Sequence, residues 1–218
     1  MKRALVLYGG WEGHYPVLMA DFAARHLLEG FATVRSSDLD SVSPGTLSEF
    51  DLLVPIWTFG ELTENQETAL LDAVAGGLGM MALHGNASSF LDSRPHKFML
   101  GGQFVGHPGG NHITYTVKFL GNDPLVNGLE DVVITSEQYY LLIDPAVKVL
   151  ATTTVDGGEM EWLRGVRMPV AWKRTWGKGR VFYCALGHTV DVLENPSVSA
   201  MLKRAVRWAA RDSSQTDN

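Results

Sequence analysis

Residues 76–89 read GGLGMMALHGNASS. Gly76 and Gly77 stop a helix, Met80–Leu83 is an unbroken apolar run of strand length, and Gly85 opens a turn towards a further helix. Strand, turn and helix in succession are the unit from which parallel sheets are built. The same turn is where many α/β enzymes hold a Ser or Cys nucleophile at the sheet edge. Here the position is His84. An imidazole there suits acid–base work or metal ligation.

The units on either side repeat the pattern. Ala4–Tyr8 is a continuous apolar run, as in a parallel strand covered on both faces. Pro16 opens a helical stretch to Glu29, closed by Gly30. Phe31–Arg35 and Leu52–Ile56 read as the second and third strands. Thr63-Glu64-Asn65-Gln66 is a capping-box pattern that starts a helix running to about Ala75. Four such units predict a mostly parallel, doubly wound sheet with helices on both faces.

The second half changes style. His112–Phe119 alternates, with Ile113, Tyr115, Val117 and Phe119 on one face of a half-exposed strand. Val147–Thr152 is a further strand. Pro169–Arg174 and Arg180–Ala185 flank Trp176-Gly177-Lys178-Gly179, a hairpin signal. Asn195-Pro196 caps a last helix, in which Val198, Met201, Leu202, Ala205, Trp208 and Ala209 form one apolar stripe. With no linker, repeat or low-complexity block, residues 1–211 are expected to form a single α/β domain and 212–218 a disordered polar tail.

Of the 218 residues 45% are hydrophobic and 19% charged, which allows a sizeable core. A net charge of −6 without a basic cluster argues against nucleic-acid binding. No window approaches the ~20 apolar residues of a membrane span. The apolar run after Met1-Lys2-Arg3 is too short for a signal-peptide core, so a cytoplasmic location is expected. The one cysteine, Cys184, excludes an intramolecular disulfide and a cysteine-based zinc site. Within VFYCALG it reads as an inert core residue in mid-strand. Ser88 and Ser89 fall past the turn, in the helix.

Ligands of open α/β sheets bind at the carboxyl ends of the strands. Those ends carry His14 in YGGWEGHYP, Trp57 and Glu61 in IWTFGELT, and His84 with Asn86. They continue with His107 and His112 in GGQFVGHPGGNH, Glu137 and Tyr139 in SEQYY, and His188 in ALGHT. His26 lies inside a helix and His96 in a surface-like SRPHK segment. Convergence of His14, His84, His107, His112, Glu137 and His188 on one cleft is therefore expected. YGGWEGHY lacks the G-x-G-x-x-G spacing, so no nucleotide cofactor is expected. Trp11, Trp57, Tyr115 and Tyr139 would either pack on the core or stack on the apolar face of a sugar.

Five segments resemble, in order, the motifs of the ThuA-like trehalose-utilisation family: ALVLYGGWEGHY, MALHGNASSF, QFVGHPGGNHITYTV, TSEQYYLL and PVAWKRTWGKGRVFYCALGHT. The resemblance runs from about Arg3 to Trp208. It implies a flavodoxin-like fold of the class I glutamine amidotransferase-like kind. With His84 at the position of the nucleophile, glutamine amidotransferase activity is not expected. The resemblance implies carbohydrate metabolism on oxidised (3-keto) disaccharides or glycosides made by a partner sugar dehydrogenase, with the keto group moving from C3 to C2. Carried over by motif, the family's polar positions are His14, His84, His107, His112, Glu137 and His188. Ser136-Glu137 stands where the family commonly has Asp-Glu, which leaves Glu137 the motif's only carboxylate.

Keto migration requires a proton to leave the carbon beside a carbonyl, an enediolate to be stabilised, and a proton to return. Glu137 and His188 are the expected base and acid, with His84 as the third catalytic residue. His14, Trp57, His107, His112 and Tyr139 are the expected substrate contacts. His84 and His112 would polarise the sugar oxygens or, with Glu137, ligate a divalent ion, Zn²⁺ or Mn²⁺, although no tight ligand motif fixes the spacing. A keto-glycoside-cleaving enzyme and a non-catalytic sugar-binding protein are the alternatives. The expected partners are a small-molecule sugar and the dehydrogenase, not nucleic acid or membrane; a homo-oligomer stays open.

Overall fold

The computed structural model describes residues 1–212, so all but the first residue of the proposed tail lies outside the described residues. The first part of the chain alternates as β1 (Arg3–Gly10), α1 (Pro16–Phe22), β2 (Ala32–Ser36), α2 (Pro44–Ser48), β3 (Leu52–Thr58), α3 (Glu64–Ala75) and β4 (Gly79–Leu83). There follow α4 (Arg94–Leu100), β5 (Gly102–Gly106), β6 (Ile113–Phe119), β7 (Val132–Ser136), β8 (Tyr140–Ile143) and β9 (Lys148–Thr154). The hairpin β10 (Arg167–Trp176) and β11 (Gly179–Cys184) and the helices α5 (Val190–Glu194) and α6 (Pro196–Ala209) complete it.

Strands β2-β1-β3-β4-β11 are joined in parallel, which is the flavodoxin-like order with the fifth place taken by a strand from the chain's end. From β11 the sheet continues antiparallel through β10, β9, β6 and β7, to nine strands in all. Helices α1, α5 and α6 pack together over one face, and α2, α3 and α4 over the other. The fold is the doubly wound α/β sheet that the sequence predicts.

Burial explains the change of style along the chain. β4 is buried at every position, because helices cover both its faces. β6 and β7 alternate, since only one of their faces is covered. The capping box forms: Thr63 Oγ1 accepts from the Gln66 amide while Gln66 Oε1 accepts from the Thr63 amide.

Several local expectations are corrected. His96 does not lie in a surface segment; it is 1% exposed within α4 and packs edge-on against Phe90. Its neighbour Lys97 is buried too, and its ammonium donates to the carbonyls of Ala87 and Ser89. Ser93 caps this helix by accepting from the His96 amide, so a polar string forms a buried turn of helix. The stripe of the last helix is wider than expected: Val206 joins its buried face, and Trp208 packs half-buried at its edge with Lys173 Nζ 4.9 Å from its ring centre. Ser88 closes a 3₁₀ turn, His84–Ser88, and Ser89 follows it in extended conformation, so neither starts an α-helix. Cys184 ends β11 instead of lying in mid-strand, and burial pushes its thiol up to about 12.

Candidate functional site

Backbone strain marks the carboxyl edge of the parallel strands. Tyr15, Phe59 and His84 follow β1, β3 and β4 and have φ of 48°, 63° and 40°, a region that non-glycine residues seldom enter. His84 thus has a strained backbone at the turn where related architectures mount a nucleophile. Its carbonyl accepts from the Tyr183 hydroxyl at 2.8 Å, and its ring Nδ1 lies 2.8 Å from Ala185 O. A carbonyl only accepts, so Nδ1 carries the proton and Nε2 faces inward. His84 is 3% exposed, at the base of the site and not on an open rim.

Glu137, just past β7, is the centre on which the imidazoles close. Its Oε2 is 3.1 Å from His84 Nε2, 3.5 Å from His188 Nδ1 and 3.9 Å from His14 Nε2. Its Oε1 is 3.9 Å from His107 Nε2. His14 is set by Thr58, whose Oγ1 lies 2.9 Å from His14 Nδ1. Gly85 makes the approach of these groups feasible. A Cβ there would lie 2.1 Å from Thr58 Oγ1 and 2.5 Å from His14 Nδ1.

Electrostatics follow from burial and crowding. Burial pulls His14 down to about 3, helped by the neighbouring His84 and opposed by Glu137. His188 is lowered as well, chiefly by burial, with Glu137 again opposing. For Glu137 burial acts to raise the carboxyl, but close contact with His84 and the charges of His84, His188 and His107 outweigh it and hold it at about 2. The group is a fixed negative charge in a shell of imidazoles.

The donor set also fits a divalent cation. One ligand atom from each of His14, His84, Glu137 and His188 lies within 4.8 Å of all the others. A tetrahedral ion with bonds of about 2.0–2.1 Å holds its donors ~3.3 Å apart, close to the separations from Oε2. Glu137 Oε2 and His188 Nδ1 have no aligned hydrogen-bond partner among the described residues. Moreover, His84 Nε2 lies 2.9 Å from the Tyr139 hydroxyl and 3.1 Å from the carboxylate. Contact between that nitrogen and a carboxylate oxygen is favourable when a proton or a cation lies between them, and His84 then holds Glu137.

The structure brings His14, His84, His107 and His188 around Glu137. His112 is exposed just before β6 and makes no hydrogen bond or ion pair to Glu137, but it is near enough to His188 for its charge to help lower that imidazole. Trp57 lines the small cavity beside His14 and His84. Tyr139 is buried, its ring stacked on His84 at 4.4 Å and its hydroxyl on Nε2, so it holds the imidazole. Tyr115 is buried and donates to Glu137 O at 2.7 Å. Trp11 is 47% exposed and meets His14 edge-on. Thr58, Tyr183 and Lys97 support the site without a sequence signal of their own. Only the place of Thr58 at the end of β3 could have pointed to it.

Comparison with known proteins agrees with this architecture. A ThuA-like protein from Bacteroides uniformis superposes with a TM-score of 0.74 at 18% identity, over 94% of this chain and 89% of its own. A β-galactosidase from Rahnella sp. R3 gives 0.66 at 15% identity, over 95% of this chain and 31% of its own. A cytoplasmic protein from Salmonella typhimurium gives 0.62 at 12% identity, over 97% of this chain and 100% of its own. No curated protein sequence matches. The ThuA family model, described as trehalose utilisation, matches residues 3–209, and the chain therefore belongs to the ThuA family.

Proposed function

We propose that this protein is a cytoplasmic enzyme that isomerises 3-keto disaccharides or glycosides to their 2-keto forms by acid–base proton transfer. Family membership supports a carbohydrate-related role. The observation that carries the chemistry is the Glu137 carboxylate, 4% exposed, with four imidazole nitrogens within 3.9 Å.

In the reaction a proton leaves C2, the O2 proton passes to O3, and a proton returns at C3 through a shared enediolate. Glu137 and His188 are the groups assigned to this transfer. His188, His14 and His107 have side chains 10%, 11% and 36% exposed, whereas Glu137 and His84 are at 4%. Substrate is thus met by the outer imidazoles, backed by the carboxylate. His84 is locked by Ala185 and Tyr139 and holds Glu137 in place from below. Such positioned proton transfer contributes ~10²–10⁴-fold.

His14, His84, His188 and Glu137 would hold Zn²⁺ or Mn²⁺, on the fit described above. When bound, the ion supplies positive charge beside the enediolate oxygens. The cleavage alternative uses the same first proton: a carbanion at C2 of a 3-keto glycoside can expel the oxygen on C1. NMR of the products decides. A 2-keto disaccharide supports the proposal, a released free sugar supports cleavage, and binding of the keto sugar without turnover overturns both.

A further inference from the structure

Glu137 is enclosed in this structure. Its side chain is 4% exposed, and Oε2, ringed by His14, His84 and His188, is closed off from solvent. The cavity that His14 and His84 line measures about 10 Å³, room for one water at most. A sugar ring cannot touch the carboxylate until part of this shell moves.

The four imidazoles differ in how firmly they are held. His84 is fixed through both ring nitrogens. His14 is fixed by Thr58, in a turn whose Trp11 amide donates to Thr58 O at 3.2 Å. His188 is wedged against both of those rings, with centroids 5.4 and 5.5 Å away. His107 is held least. Its Nδ1 has no hydrogen-bond partner among the described residues, its side chain is 36% exposed, and its Nε2 covers Glu137 Oε1 from 3.9 Å. The loop that carries it is as loosely tied. Among the described residues, the backbone of 107–112 makes one hydrogen bond outside the strands, Gly110 N to His107 O at 3.0 Å. Gly109 and Gly110 complete that turn with φ of 94° and 78°, a conformation that favours glycine. Gly106, at the end of β5, has open space where a Cβ would lie.

We propose that the 106–112 loop is a gate over Glu137: the turn at Gly109-Gly110 unwinds, His107 swings away from Oε1, and the keto sugar enters through the gap. The proposal rests on Glu137 as the reacting carboxylate and adds the motion that admits its substrate. Reclosure brings His107 back over the bound sugar and keeps water from the enediolate.

The test reads access to Glu137 without any sugar. Carboxylate anions attack a phenylisoxazolium sulfonate, and mass spectrometry of the Glu137 peptide follows the adduct. Where opening and closing are fast, the capture rate tracks the open fraction. Gly110→Ala strains the closed turn, because alanine resists a φ of 78°, while its Cβ meets nothing within 4 Å. Capture of Glu137 should accelerate about fivefold or more. Gly110→Asn should stay closer to wild type, since asparagine enters left-handed backbone more readily. Gly30→Ala carries like strain before β2, with a φ of 87° and nothing within 4 Å, and should match wild type. Equal acceleration by Gly110→Ala and Gly30→Ala would mean that general unfolding exposes Glu137, and acceleration by neither that the turn does not open. Each result overturns the gate. If Gly110→Ala does not fold, ¹⁵N relaxation dispersion on wild type decides. Microsecond-to-millisecond exchange at the amides of His107, Gly109 and Gly110 supports the gate, and flat profiles overturn it. Keto-sugar turnover plays no part in these measurements, so the isomerase reading stands or fails separately.

Discussion

At the scale of single residues, the site depends on two features that a substitution can separate, backbone strain and imidazole chemistry. His84 combines both. Alanine would remove the ring and leave a φ of 40° that alanine tolerates poorly. Asparagine enters that region more readily, so His84→Asn isolates the chemistry. We expect its thermal midpoint to stay near that of wild type and keto-sugar turnover to fall by ~10²-fold or more. Turnover that survives would make His84 a structural residue. Gly85 provides the complementary case. Its added Cβ would collide with Thr58 Oγ1 and His14 Nδ1, so Gly85→Ala should displace His14 from Glu137. Turnover should drop by ~10²-fold, as for a catalytic group held about 1 Å out of place. A fully active Gly85→Ala would show that His14 need not be where the structure has it.

Elements differ in how openly the sequence announces them, and the reasons are physical. β1, β3 and β4 are apolar runs because both faces are covered, and α3 carries its cap in its own letters. By contrast, β5 is a short, glycine-bounded segment paired only with a distant strand, while β7 (VVITS) and β8 (YLLI) carry β-branched, aromatic and apolar residues that are legible as strands, though their partners are not. α4 looks like surface because Arg94, His96 and Lys97 are polar; only the carbonyls of Ala87 and Ser89 give Lys97 a reason to be inside. That contact ties α4 to the turn bearing His84. Lys97→Met should therefore lower stability by ~1–3 kcal/mol, the cost of leaving buried carbonyls unpaired, as read from chemical denaturation. An unchanged midpoint would mean the ammonium is dispensable. Asp123 makes a similar tie between the loop after β6 and the strands β9 and β10, through Lys148 and Lys173. Burial acts to raise its carboxyl, but the two ammonium groups and the Leu125 amide hold it at about 2, below the ordinary 3.8. A depressed carboxyl contributes stability that is present above 3.8 and lost as pH falls towards 2. The midpoint of wild type should exceed that of Asp123→Asn at pH 7, and the gap should close across that acid window. A gap independent of pH would contradict the ion pairs.

The whole molecule assembles its site across a seam. His14 follows β1, His84 follows β4 and His188 follows β11, all on the parallel half, whereas Glu137 is delivered by the antiparallel half after β7. Histidines at strand ends could be read from the sequence because glycines flank them and the carboxyl edge of such a sheet is known in advance. That Glu137 would be their common centre, with His112 outside the four-donor group, depends on how β6 and β7 pack against β9, which no local pattern records. A cation held by these four donors would join the two halves and would bind only when the halves are together. Binding to the native state alone stabilises by RT ln(1 + [L]/Kd), ~2.7 kcal/mol at a hundredfold excess over Kd. For a chain of this size, that is a rise in midpoint of roughly 5–10 °C. Zn²⁺ or Mn²⁺ added to chelator-treated protein should produce such a saturable rise, and a chelator should reverse it. Glu137→Gln, which keeps the shape but removes the anionic donor of the set, should abolish the response. His112→Ala should preserve it, because His112 contributes no donor to the cluster. A midpoint that neither ion moves would show that the four donors serve proton transfer alone.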